Sequence, residues 1–245
     1  MTPVKYHCSR GVNMRSPRKI DQLVLDQIRR ADVAGKESSA AGAPCKSMVV
    51  TISRGMGSGA RIIAGKLADQ LGWSLWDRNL LDAIVSDAQV SRRVVEAFDE
   101  KRRSELELLV HAAMGNHEMA GFVYGKHLGH AVRGIAKLGN AIILGRGANF
   151  ILPDALSIRI DASAELRVNN MMSYEHLTKE QAENKIRLSD KERRAFLVSA
   201  FGKSRVDNFH FDISLWMDRW TNDDAVRILR EAIDARCTSG GRQNP

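Results

Sequence analysis

The feature that most constrains the fold is a strand, a glycine-rich loop and a helix in direct succession. Residues 48–72 read MVVTISRGMGSGARIIAGKLADQLG. The β-branched run at the start predicts a short strand, and the apolar residues of RIIAGKLADQL recur at helical spacing, with Gly72 as a stop. A glycine loop between a buried strand and a helix surrounds one anion with backbone N–H groups and the positive end of the helix dipole. The segment therefore predicts an α/β fold with an anion site at this loop.

The loop departs from the common phosphate-binding motif G-x-x-x-x-G-K-[ST]. Counting back from Gly59, Arg54 stands at the first Gly position, Ala60 at the Lys position and Arg61 at the hydroxyl position. Two interpretations stay open: a glycine turn without a ligand, or an anion site whose charge comes from the two arginines, because Arg grips phosphate through two hydrogen bonds. On the second interpretation the nucleotide-binding residues are Arg54, Gly55, Gly57, Ser58, Gly59, Ala60 and Arg61.

Strands alternate with helices along the rest of the chain. Short buried strands are predicted at WSLWD, NAIILG, LSIRIDA and FDISLWM, each bounded by turn residues. Helical periodicity fills residues 79–138, including an amphipathic stretch over 91–114, and returns over 163–203 and in the last helix. This alternation predicts a parallel sheet with helices on both faces.

Residues 1–46 are predicted to form a flexible basic extension. They hold nine Lys and Arg against four Asp and Glu, so most of the net charge of +8 lies here, and they end in a small-residue linker. One short helical patch, DQLVLDQIRRADV, interrupts them. The folded domain is predicted over 47–237 and a disordered tail over 238–245. Since the domain itself is only weakly basic, we expect no nucleic-acid partner.

Cysteine spacing and hydropathy bear on the cellular compartment. Cys8, Cys45 and Cys237 are odd in number and lack metal-binding spacing, which predicts free thiols in a reducing compartment and no metal site. The longest apolar-looking segment is interrupted by charged residues and is too polar to span a membrane. We therefore expect a cytoplasmic protein with no membrane partner.

A second group of motifs carries a resemblance to a known family. Residues 138–168 read LGNAIILGRGANFILPDALSIRIDASAELRV, in which a buried strand ends in GRG. This segment is similar to the GRD segment of cytidylate kinases, with 153–155 matching their PDA turn and 161–163 their DAS segment. The glycine loop resembles the SRxxGSGxR variant of the cytidylate kinase-like branch of P-loop nucleoside monophosphate kinases. The resemblance covers about residues 48–235.

The resemblance implies a fold and an activity. The implied fold is a five-stranded parallel sheet of P-loop NTPase type, flanked by helices, with a helical lid over about 163–203. The implied activity is ATP-dependent phosphoryl transfer to a nucleoside monophosphate, with CMP or dCMP as the leading acceptor and Mg²⁺ as the accompanying ion. Two other hypotheses stay open: a nucleotide-binding regulatory protein with little or no catalysis, and a kinase of a different small acceptor. The sequence leaves the oligomeric state open.

The resemblance also implies roles for individual residues. Gly147 stands where the cytidylate kinases have the Asp of GRD, so the acceptor base stays open. Asp77 and Arg78 match the family's acceptor pocket, although they would equally cap the next helix; the lid charges would equally form a solvated face. The implied catalytic residues are Arg61, Arg146, Asp190 and Arg193. The implied acceptor-binding residues are Asp77, Arg78, Arg146, Arg187 and Arg194.

Overall fold

One sheet of five parallel strands organises the protein. The architecture comes from a computed structural model that describes residues 17–40, 48–86 and 120–238. The strands are β1 (Val49–Arg54), β2 (Ser74–Trp76), β3 (Ala141–Leu144), β4 (Leu156–Asp161) and β5 (Ile213–Trp216). Their order in the sheet is β2-β3-β1-β4-β5, with β1 at the centre. The predicted five-stranded parallel sheet of P-loop type is confirmed.

Helices connect these strands. In the described residues they are α1 (Pro17–Ala40), α2 (Ala60–Leu71), α3 (Arg78–Ser86), α4 (Ala120–Leu138), α5 (Ala148–Ile151), α6 (Ala164–Glu175), α7 (Lys179–Phe201), α8 (Lys203–Asp207), a 3₁₀ turn (Met217–Arg219) and α9 (Asn222–Thr238). Gly72 ends α2 in the left-handed conformation that the sequence predicts for a helix stop. A capping box between Thr178 and Gln181 starts α7. The predicted amphipathic stretch over 91–114 lies outside the described residues.

Side chains alternate between the two faces of the sheet and form two apolar layers. Ile52, Ile142 and Ile158 belong to the layer that contains α2 and α9. Val49 and Ile143 belong to the opposite layer, which contains apolar residues of α1, α3 and α4. Burial on both faces explains why these strands read as continuous apolar runs in the sequence.

The strand register brings three chain segments to one end of the sheet. Ile52 of β1 pairs with Leu144 of β3, and Arg54 pairs with Ile160 of β4. The glycine loop, the GRG turn after β3 and the end of β4 therefore lie side by side. In open parallel sheets, the carboxyl ends of the strands are where ligands bind.

Helix α1 differs from the expectation of a flexible extension over 1–46. Val24, Ile28 and Ala31 are almost completely buried, the first two in the layer that contains α3 and α4. Gln27 accepts a hydrogen bond from the backbone N–H of Leu75 in β2 at 2.7 Å. The DQLVLDQIRRADV patch is therefore the centre of a helix packed on the domain, and the rest of the predicted extension and the tail beyond 238 lie outside the described residues.

Two findings concern the compartment. Cys237 is disulfide-bonded, so the prediction of free thiols is wrong for this residue. A disulfide is typical of an oxidising compartment, which removes the cysteine argument for the cytoplasm. Among the described helices, none is both long and apolar enough to cross a membrane.

Candidate functional site

The glycine loop, residues 54–59, presents a set of free backbone donors. The N–H groups of five residues donate to no acceptor in the described part of the protein, whereas neighbouring groups of the loop are paired with Ile160 and Gly55. The free donors belong to Met56, Gly57, Gly59, Ala60 and Arg61. Three of them lie at the start of α2, where the helix dipole also favours a negative charge. We call these five N–H groups the anion cradle.

Glycine is required in the loop by close approach as well as by conformation. Gly57 has a φ of 80°, and a Cβ atom added there would lie 2.5 Å from the backbone oxygen of Arg167 in α6. A Cβ on Gly55 would lie 2.1 Å from Oδ1 of Asp161 at the end of β4. The loop is thus packed tightly between β4 and α6, and a side chain at either glycine would displace one of them.

Arg54 ends β1 as a partly buried cation without a partner. Its guanidinium makes no hydrogen bond or ion pair with any described residue. Burial, with the nearby charges of Arg193 and Arg61, lowers the pKa of Arg54 from its ordinary value to about 10. The side chain therefore remains charged at neutral pH in a position that disfavours a cation, and an anion beside it would relieve that cost.

Arg61 and Asp77 form an ion pair next to the loop. Nη2 of Arg61 lies 2.7 Å from Oδ2 of Asp77, whose side chain is only 13% exposed. Oδ1 of Asp77 accepts from the backbone N–H groups of Asn79 and Leu80 at 3.0 and 3.1 Å. Asp77 thus caps α3, as one of the two interpretations had it, and also pairs with the arginine that was expected to hold the nucleotide.

Arg146 lies in a polar and aromatic cluster at the end of β3. It has a left-handed φ of 53°, between two glycines that are also left-handed. Its Nε lies 2.7 Å from Oδ1 of Asp82, and its Nη2 pairs with Oδ2. The hydroxyl of Tyr124 donates to the same carboxylate at 2.5 Å, and burial followed by this hydrogen bond raises the pKa of Tyr124. The guanidinium also lies 5.1 Å from the centroid of the Phe196 ring.

One predicted lid residue, Arg193, contacts the loop directly, and a second, Asp190, is connected to it through Arg167. Nη1 of Arg193 donates to the carbonyl oxygen of Arg54 at 3.2 Å, and burial lowers the pKa of Arg193. Oδ2 of Asp190 lies 2.5 Å from Nη2 of Arg167. Arg167 also donates from Nε to the carbonyl oxygen of Met56 at 2.6 Å. Helices α6 and α7 are therefore joined to each other and to the loop by charged side chains.

The other two predicted lid arginines are directed elsewhere. Arg187 donates to Asn184 and Arg194 pairs with Asp207, each at 2.7 Å and in exposed positions. Neither contacts the loop within the described structure. Their assignment to the acceptor pocket stays a prediction, and exposed pairs of this kind stabilise a fold by at most about 1 kcal/mol.

Sequence reasoning did not assign several residues that the structure brings to the site. Arg167 could have been found, because it closes the same DASAELR segment that carries the resemblance. Asp82 lies one helical turn after Arg78, and its carboxylate is 3.5 Å from the Nε of Arg78. Tyr124 and Asn170 carry no signal in the sequence, because their partners are 42 and 113 residues away along the chain.

The carboxylates around the loop do not form a magnesium site. Asp77 is paired with Arg61, Asp161 with Arg159, and Asp190 with Arg167. The buried hydroxyl of Ser58 donates to the carbonyl oxygen of Gly55 at 2.9 Å. No group of three or more metal-ligating side chains occurs among the described residues. These residues do not fit a metal held by the protein.

Comparison with known proteins decides the family. The sequence model of the cytidylate kinase-like family matches residues 49–219, which include β1 to β5, the loop, α6 and α7. The chain belongs to the cytidylate kinase-like family. The family is therefore the one that the GRG, PDA and DAS segments indicated.

Two matching relatives that carry the name cytidylate kinase are distant in sequence. The chain is 22% identical over 192 residues to a cytidylate kinase of Pyrococcus furiosus, covering 78% of this chain and 91% of the relative. It is 25% identical over 199 residues to a cytidylate kinase of Methanopyrus kandleri, covering 77% and 94%. A crystal structure of an uncharacterized protein from Eubacterium ventriosum aligns with a TM-score of 0.56 at 21% identity, over 77% of this chain and 99% of that one. That likeness shows the shared fold.

Proposed function

We propose that the protein transfers the terminal phosphoryl group of ATP to a nucleoside monophosphate, with CMP or dCMP as the leading acceptor. The observation that carries the proposal is the anion cradle beside the unpartnered cation of Arg54. Five free N–H donors and one uncompensated guanidinium are complementary to a polyphosphate, which carries several negative oxygen atoms. The names of the two archaeal relatives support a nucleotide as the ligand.

The arrangement suits phosphoryl transfer without a lysine at position 60. Catalysis of this reaction depends on positioning and on neutralising charge that spreads over the phosphoryl oxygens, so no side chain must act as a strong base. Arg54 and Arg193 supply fixed positive charge on the two sides of the β1 end, and the cradle supplies directed hydrogen bonds. Mg²⁺ would arrive bound to the phosphates of ATP, since it keeps several water ligands and needs few from protein.

The acceptor would lie between the loop and the GRG turn. Asp77, Arg78, Asp82 and Arg146 line the carboxyl ends of β2 and β3, and their linked ion pairs offer both charges to a nucleoside monophosphate. Arg78 and Arg146 are each already paired with Asp82. A bound phosphate would therefore replace Asp82 as the partner of these arginines. We expect the protein to act in the cytoplasm, where its nucleotide substrates are found.

One specific observation favours a second candidate, a nucleotide-binding regulatory protein. Position 60, where the common motif has Lys, holds the uncharged Ala60, and the side chain of Arg61 is paired with Asp77. Such a protein would bind ATP through the cradle and Arg54 without turnover. The two candidates differ only in the chemical step, so binding and turnover must be measured separately.

The test compares Arg54→Met with Lys66→Met, its control. Lys66 lies on the same segment but is exposed and paired with Asp223 at 2.5 Å. ATP binding is followed by calorimetry, and ADP formation is measured with Mg·ATP and each of CMP, dCMP, UMP, AMP and GMP. We expect turnover with a cytidine acceptor, a loss of about 10²-fold or more in Arg54→Met, and little change in Lys66→Met.

The outcomes separate the candidates. ATP binding without ADP formation with any acceptor identifies the regulatory protein, and turnover with AMP, UMP or GMP alone identifies another acceptor. Failure of the wild-type protein to bind ATP would overturn the proposal. Equal activity in the two variants would remove Arg54 from it.

A further inference from the structure

The carbonyl groups of the glycine loop are held by side chains on the side opposite the cradle. The carbonyl oxygen of Met56 accepts from Arg167, and that of Gly57 accepts from Nδ2 of Asn170 at 2.8 Å. Both donors lie on α6. Because a trans peptide directs its C=O and N–H to opposite sides, each of these bonds also fixes where the next N–H points.

These peptides need an external constraint. Glycine turns readily about φ and ψ, and Gly57 adopts its φ of 80° between two other residues without regular structure. Rotation of the peptide between Met56 and Gly57 would replace a cradle N–H with a carbonyl oxygen, which repels an anion. Rotation of the next peptide would break the bond from the Ser58 N–H to the carbonyl oxygen of Gly55, which closes the turn at 3.4 Å.

We infer that Asn170 is a positioning residue for the anion cradle: its amide holds the Gly57 carbonyl, and so keeps the loop in the conformation that binds polyphosphate. This inference rests on the proposed function. Asn170 is uncharged and acts from α6, behind the loop. Arg167 has a related contact, but its guanidinium also pairs with Asp190 and carries charge, so only Asn170 allows positioning to be separated from electrostatics.

The chain provides a matched control beside Asn170. Asn169 has the same side chain on the same helix, but it is exposed and makes no hydrogen bond among the described residues. Substitution of Asn169 therefore reports the general cost of changing an asparagine in α6. Asn170→Asp keeps the shape of the side chain and, at neutral pH, has no hydrogen atom to donate to a carbonyl.

The experiment measures the dissociation constants of inorganic tripolyphosphate and of Mg·ATP, together with the melting temperature of the ligand-free protein. The proteins are the full-length wild type, Asn170→Ala, Asn170→Asp and Asn169→Ala. Loss of one constraining hydrogen bond should weaken both ligands by a similar factor, about three- to tenfold, in Asn170→Ala, and by more in Asn170→Asp, whose carboxylate also repels the phosphates. Asn169→Ala should bind like the wild type. An equal factor for tripolyphosphate and ATP would locate the defect at the phosphates.

Three results would overturn the inference. Unchanged dissociation constants with a lowered melting temperature would make Asn170 a structural residue only. Equal weakening in Asn169→Ala would assign the effect to α6 in general. If the wild type binds neither tripolyphosphate nor ATP, both the proposed function and this inference are wrong. If the wild type binds them and the Asn170 variants bind equally well, only this inference is wrong.

Discussion

Position 147 is restricted to glycine by its backbone conformation and by the side chains that face it. It has a φ of 67°, and a Cβ atom there would lie 2.3 Å from Cε2 of Phe201 and 3.0 Å from Cδ2 of Leu197. Phe201 itself is stacked on Phe150, with ring centroids 4.8 Å apart. The space that the Asp of GRD would need is therefore filled by α7, and recognition of an acceptor base by a carboxylate at this position is absent from this chain.

Gly147→Ala should destabilise the protein more than Gly145→Ala. Both glycines are left-handed, which costs an alanine about 1 kcal/mol, but a Cβ at Gly145 meets no atom within 4 Å. The clash with Phe201 should add about 1–3 kcal/mol at position 147. Urea unfolding of the two variants measures the difference in unfolding free energy. Equal losses would mean that Phe201 moves aside without cost.

Arg54 also affects how stability depends on pH, since its pKa is about 10 in the folded protein and higher in the unfolded chain. The unfolded chain binds more protons only between these values, so this group makes stability rise with pH in that alkaline range and adds a constant cost, on the order of 1–3 kcal/mol, below it. Arg54→Met should therefore raise the melting temperature of the ligand-free protein, while Lys66→Met leaves it unchanged. A lowered melting temperature in Arg54→Met would contradict the idea of an uncompensated cation.

Among the elements, α1 is the one whose packing on the domain could not be predicted from the sequence. Its small-residue end and basic composition are typical of a linker, and its partners Leu75 and Asp69 lie 48 and 39 residues further along the chain. The five strands and the lid helices were predictable because their periodicity is local and their turns are marked by Gly, Pro and Asp. The loop was predictable for the same reason, but the pairing of Arg61 with Asp77 and of Arg146 with Asp82 depends on tertiary packing that no spacing reveals.

Gln27→Ala tests the attachment of α1. Removal of this side chain leaves the partly buried N–H of Leu75 without its acceptor, which should lower the unfolding free energy by about 1–2 kcal/mol. It should also speed hydrogen exchange at Leu75. Gln22→Ala is the control, because Gln22 is exposed on the same helix. Identical exchange rates at Leu75 in both variants would show that α1 does not protect β2 through this contact.

At the scale of the whole molecule, positive charge is concentrated at the site, although the domain as a whole is only weakly basic. Arg54, Arg61, Arg78 and Arg193 interact electrostatically around the end of β1, with Asp77 as the carboxylate among them. Residues of β1, α2, α3 and α7 thus interact electrostatically with one another, although they come from distant parts of the chain. A polyphosphate is attracted by the sum of these charges rather than by any single pair.

Affinity for Mg·ATP should therefore fall as salt rises. Between about 0.05 and 0.5 M NaCl the Debye length shortens from roughly 14 Å to about 4 Å. Salt at the higher concentration therefore screens the attraction between the phosphates and those arginines of the site that do not contact them directly. We expect a loss of about tenfold in binding measured by calorimetry, with a smaller loss in Arg54→Met because one attracting charge is already gone. An affinity independent of salt would mean that the cradle N–H groups alone hold the nucleotide.

The helix packed against β2 also determines how this sheet can meet another. In the described part of the chain, β2 and β5 are the two outermost strands, and α1 occupies the side of β2 that faces away from β3. Within residues 17–40, 48–86 and 120–238, this leaves β5, with Trp216 58% exposed, as the edge to which a foreign strand could be added. Strand addition at one exposed edge joins two molecules and leaves no further exposed edge. A sheet with two exposed edges can instead add molecules repeatedly and form a fibre. Loss of α1 would uncover the outer side of β2 and so add a second exposed strand edge to this sheet.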